Sequence, residues 1–116
     1  MPGVKPSNRI ARRRAVPASV RLGLRPADEV SDLAWAGQHA QAITLASTAL
    51  GSSGLDADSR IELLDLRAES HIAQADLLSA GLDAAAMQQL ARRTRSAEHA
   101  ARAFNRQALV HLRSGE

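Results

Sequence analysis

The side chains best suited by type to chemistry are four histidines, His39, His71, His99 and His111, and five carboxylates, Asp56, Asp58, Glu62, Asp65 and Glu69. Imidazoles can hold a metal or pass a proton, and paired carboxylates can serve as general acid and base. The spacing argues against both uses. Histidine ligands on one helix need separations of three or four, as in H-E-x-x-H, and the shortest gap here is twelve residues, from His99 to His111. His39 and His71 read as half-buried packing residues. Glu62, Asp65 and Glu69 recur at helical spacing, and Arg60 and Arg67 intersperse the five carboxylates. That is the pattern of an acidic helix start and a solvated face rather than a paired-acid site.

Other chemistry is absent by composition or motif. There is no cysteine, which excludes disulfides, thiolate metal sites and a cysteine nucleophile. The loop "GSSG", residues 51–54, lacks the G-x-S-x-G order and the preceding strand of a nucleophile elbow. No G-x-x-x-x-G-K-[ST] or G-x-G-x-x-G phosphate loop occurs. Trp35 is the one tryptophan, and its place just before Gly37 reads as partly buried packing rather than a stacking platform. No catalytic, cofactor-binding or metal residue is therefore assigned, and the expectation is a protein that is not an enzyme.

The elements that carry these residues are helical. In 116 residues there are 24 Ala, 15 Leu and 14 Arg against one Lys, with one Phe, one Trp and no Tyr. Alanine and leucine are strong helix formers, and small side chains let helices approach closely, so an all-α fold of stacked helices is expected. "PADEV" at residues 26–30 opens a first helix with proline at its start and Asp28 and Glu29 in its first turn. A second runs from His39 to Leu50 and stops at "GSSG". Ser59 and Glu62 have the form of a capping box, which places the third start there, with Ile61, Leu64, Ala68 and Ile72 as its stripe. The fourth spans about residues 76–93 with Leu77, Ala80, Ala84, Met87 and Leu90 or Ala91 inward. The fifth spans about residues 96–113, with Ala97, Ala101, Phe104, Ala108 and Leu112 on one face.

The charge is uneven. Residues 1–27 hold seven basic residues and no carboxylate, while residues 28–116 hold eight basic against twelve acidic. With Pro2, Pro6 and Pro17 and no lasting apolar period, residues 1–25 read as a basic, disordered tail. Arg21 breaks "AVPASVRLGL" too early for a secretory signal. A tether to nucleic acid or an anionic membrane needs only the charge, so nucleic-acid binding through the tail is the alternative functional reading. No apolar run approaches the ~18 residues of a membrane span. The lack of cysteine fits a cytoplasmic protein, and the preference for Arg over Lys suggests a bacterial source.

The stretch "AGQHAQAITLASTAL", residues 36–50, places Gly37, Ala42 and Ala49 at intervals of five and seven. Ala75, Ala80 and Met87 repeat them at an offset of 38 residues, and a further 40 residues from Ala75 lies Gly115. Periods of this size with two helices each mark an α-solenoid. Gly37, Ala42, Ile43, Ala49 and Leu50 resemble the tetratricopeptide repeat. In that family a small residue lies at the turn, one alanine packs the hairpin, and a second sits at the seam to the next repeat. The second copy departs from it at Ala75, Gly81 and Met87, and the third supplies only its first helix, with Phe104 in the large position. The resemblance covers about residues 27–116. "LLDLRAESHIAQ" and "FNRQALVHLRSGE" are also similar to N-terminal repeat regions of bacterial multidomain signalling proteins of the adenylate/guanylate cyclase type.

These resemblances imply a short stack of helical hairpins that binds a protein or peptide in a groove lined by the first helix of each hairpin. Arg60, Arg67, Ser70 and Gln74 are candidate groove residues. The third hairpin stops after its first helix, which leaves Phe104, Ala108 and Leu112 without a partner. The chain is therefore expected to be a piece of a longer array, a truncated reading frame, or a protein that self-associates through that face.

Overall fold

A computed structural model describes residues 25–115; the basic segment and its binding alternative lie outside the described residues. Five helices are present there, with no strand: α1 (Pro26–Trp35), α2 (His39–Leu50), α3 (Ala57–Ala73), α4 (Leu77–Thr94) and α5 (Ala97–Ser114). None is long and apolar enough to cross a membrane.

The helix starts follow from local chemistry. Proline opens α1, where an unpaired N–H would otherwise point outward. The side chains of Asp76 and Ser96 accept from the backbone N–H of Ser79 (3.2 Å) and His99 (3.1 Å) and so cap α4 and α5. Helix α3 corrects the sequence expectation. Its cap is Asp56, whose Oδ1 accepts from the Ser59 N–H at 2.7 Å, so the helix begins three residues earlier than a Ser59 capping box implies. Both residues suit the role, and the carboxylate wins because it reaches the N–H three residues on with a full charge.

Each helix packs on the next in the chain, and α3 also packs on α1 and α5; α2 and α4 do not meet. The odd-numbered helices therefore form one layer. Helix α3 is enclosed on two sides. Leu63 joins Ala27, Val30, Ala42, Ala46 and Ala49 of the first hairpin, while Ile61 and Leu64 join Met87, Leu90 and Ala103. A third cluster closes the far end with Ala68, Ile72 and Ala80 against Leu77, Leu109 and Val110. Ala42 and Ala80 have no exposed surface, so at both seams the small residue is what lets the helices approach.

The repeated spacing has a geometric counterpart. Gly37, Ala75 and Gly115 all adopt left-handed backbone, with φ of 79°, 62° and 81°. The same turn is made three times, and alanine tolerates at Ala75 a conformation that glycine takes without steric cost.

Candidate functional site

Helix geometry brings together groups that are far apart in sequence, and most of them lock helices to one another. Arg67 of α3 donates from Nε (2.9 Å) and Nη2 (2.6 Å) to the two carboxylate oxygens of Asp83 on α4, and its Nη1 donates to Ser47 Oγ on α2 at 3.0 Å. Asp65 accepts from Arg106 Nε at 2.7 Å, with Arg102 Nη2 at 3.8 Å, which ties α3 to α5. Glu62 accepts from Arg25 Nη1 at 3.0 Å. The expectation of a solvated carboxylate face is thereby corrected for Glu62 and Asp65, whose partners lie 37 and 41 residues away, while Asp58 stays 84% exposed.

The histidines serve similar ends. His39 Nδ1 lies 3.1 Å from the hydroxyl of Ser70, which has no exposed surface. His71 sits 3.8 Å from both Asp76 and Asp83. His99 is buried; its Nε2 is 2.6 Å from Asp58 Oδ1 and its Nδ1 is 3.0 Å from Thr94 Oγ1. An Asp–His–Thr series has the residue types of a nucleophile relay. Here the Thr94 hydroxyl donates to the Ala91 carbonyl at 3.2 Å, inside the last turn of α4. The three residues therefore pin the start of α3 to the α4–α5 turn. Among the described residues no three His, Asp or Glu side chains converge as a metal site.

Among the described residues two carboxyl groups and one guanidinium are shifted. Asp56 is held below its ordinary 3.8 by the backbone N–H of Ser59, then by that residue's hydroxyl. The Ser79 hydroxyl, then its N–H, does the same for Asp76. Arg25 is raised by its hydrogen bond to Asp28 and by Glu62.

The groove residues suggested by sequence are largely committed to the fold. Arg60 donates to the Leu50 carbonyl at 3.1 Å, Arg67 is paired with Asp83, and Ser70 is enclosed beneath His39. Gln74 is exposed and lines a depression with Gly37, Gln38, His39, Ala40 and Gln41.

The unpaired surface lies elsewhere. Trp35, Leu78, Leu82, Phe104 and Leu112 are exposed. Trp35, at 89% exposure, corrects the expectation of partial burial. It lies five residues beyond fully buried Val30, which places it about 140° round the helix from the packed face. On α5 the five residues of the apolar stripe, Ala97, Ala101, Phe104, Ala108 and Leu112, are all exposed. The side of α5 that packs inward carries His99 and Ala103 instead.

Equivalent positions explain that stripe. Seven residues before the left-handed turn stand Val30 in α1 and Ala68 in α3, both fully buried beneath the following helix, and exposed Ala108 in α5. Three before it, Ile72 is buried and Leu112 is 73% exposed; eleven before it, Leu64 is buried and Phe104 is 68% exposed. Beside Phe104 a groove of about 420 Å³ runs between α4 and α5, lined by Gln88, Ala91, Arg92, Ala100, Ala103 and Phe104.

Comparison with family models, with curated proteins and with solved structures finds no match for this chain.

Proposed function

We propose that the chain is a non-catalytic protein–protein interaction scaffold, a short stack of helical hairpins similar in plan to the tetratricopeptide repeat. The observation that carries this reading is the exposed apolar side chains on a packed helical frame, above all the α5 stripe whose counterpart on α3 is covered. Contiguous exposed apolar surface of this kind marks an interaction site. The recurrent turn at Gly37, Ala75 and Gly115 supports the repeat plan. In a multidomain signalling protein such a stack would be the sensory or scaffolding part.

The test is site-specific photo-crosslinking in host cells, with the reactive group placed in turn at Trp35, Leu78 and Phe104 and at exposed Glu69 as a control. The proposal expects a discrete protein adduct from at least one apolar position and none from Glu69. No adduct at any position would overturn it. So would nucleic-acid binding that falls steeply with salt and disappears when residues 1–25 are deleted.

A further inference from the structure

We infer that the exposed stripe of α5 is a docking site for one helix of a partner protein, running antiparallel to α5, with a face of small residues and an acidic C-terminal turn. The inference rests on the scaffold reading above and names its surface and its ligand. The shape of the ligand comes from the molecule's own packing. On α3 the equivalent positions Leu64, Ala68 and Ile72 are covered by α4, which presents Ala80, Ala84, Met87 and Ala91 and runs back along α3. The α5 stripe offers the same large–small–large order, Phe104, Ala108 and Leu112, to a helix in that position. A helix with bulky residues throughout that face would be held off, because the close approach at the two existing seams depends on alanines with no exposed surface.

The charge requirement comes from the end of the seam. A helix antiparallel to α5 brings its C-terminus beside the N-terminus of α5, next to the α4–α5 turn. Arg92, Arg93 and Arg95 stand there exposed, with no ion-pair partner among the described residues, and Arg92 lines the groove beside Phe104. Glu98, also exposed, is the one carboxylate in the first turn of α5. Asp58, 84% exposed and held to His99 at the same turn, is a second anion; the excess of three cations over these two carboxylates favours the negative end of a helix dipole and carboxylates in its last turn. A second copy of the chain fits poorly. Its own exposed apolar stripe on α5 ends with Arg113 in the last turn, and α4 ends with Arg92 and Arg93.

The probe is a fluorescein-labelled peptide of residues 76–95 of this chain carrying Arg92→Glu and Arg93→Glu, titrated with the full chain and read by anisotropy. Saturable binding is expected, weakened roughly tenfold or more by Phe104→Glu or by Ala108→Arg in the chain. Both positions are exposed, and unchanged circular dichroism confirms that the variants fold. Arg92→Glu in the chain, or the unsubstituted arginine-ended peptide, should each bind several-fold more weakly, with the difference shrinking as salt is added. No binding, or binding indifferent to Phe104→Glu, would overturn the inference. Dimerisation of the chain in sedimentation velocity, abolished by Phe104→Glu, would also overturn it in favour of self-association. If photo-adducts form at Leu78 or Trp35 while this peptide fails to bind, the docking site is wrong and the scaffold reading stands. If no position yields an adduct, the scaffold reading itself falls.

Discussion

Removing one partner of the Arg67–Asp83 pair should cost different amounts depending on which is removed. The Asp83 side chain is 5% exposed and that of Arg67 is 23% exposed. Arg67→Ala strands a nearly enclosed carboxylate whose other close neighbour is the His71 imidazole, with Nε2 3.8 Å away. Breaking a buried pair from one side costs about 3–5 kcal/mol, and the enclosure of Asp83 places this variant toward the upper end. Asp83→Ala leaves a guanidinium that keeps its bond to Ser47 and reaches water, so about 2–3 kcal/mol is expected. Arg67→Met combined with Asp83→Leu removes both charges and fills the space, and should fall within about 1 kcal/mol of the parent. A domain of this size has about 5–15 kcal/mol in all, so Arg67→Ala brings the fold close to its limit. Urea denaturation at neutral pH, followed by far-UV circular dichroism, measures all three. Equal losses for the single variants, with the double variant losing their sum, would refute the reasoning.

Other perturbations follow from named features. Ala75→Gly and Arg95→Gly relieve left-handed backbone at φ 62° and 54°, and each should raise stability by about 0.5–1 kcal/mol; Gly37→Ala should lower it by a similar amount, all read as shifts in the urea midpoint. Ala42→Leu or Ala80→Leu would force a seam apart and cost about 1–3 kcal/mol by the same assay. Because Asp56 and Asp76 are held below 3.8 in the folded chain, their stabilisation is complete above that value and is lost as pH falls through their lowered values. Asp56→Asn with Asp76→Asn keeps both caps without the titration, so the acid limb of a stability–pH profile should flatten while stability at neutral pH changes little.

The helices were legible where local rules decide them. His39–Leu50 ends at the glycine-serine loop as composition demands, and the stripes of α3 and α4 are the buried ones. The left-handed turns were legible as a spacing. The ion pairs were not, because Asp58, Asp65 and Arg67 meet partners 41, 41 and 16 residues away, and a charge on a helix looks the same from sequence whether its partner is water or another helix. Trp35 misled because a turn glycine two residues on suggests packing, whereas the angle from Val30 decides exposure. The α5 stripe was legible as an apolar face, since periodicity reveals one whether it is buried or, as among the described residues, exposed.

The claim that α5 presents an open helix-binding face is tested most directly by amide hydrogen exchange, resolved by helix, with and without the acidic-ended peptide of residues 76–95. In the free chain α3, packed against the other four helices, should exchange slowest, and α5 faster than α3 or α4. Adding the peptide should slow exchange along α5 and leave α1 and α2 unchanged. Protection of α5 equal to that of α3 in the free chain, with no change on adding the peptide, would contradict the account.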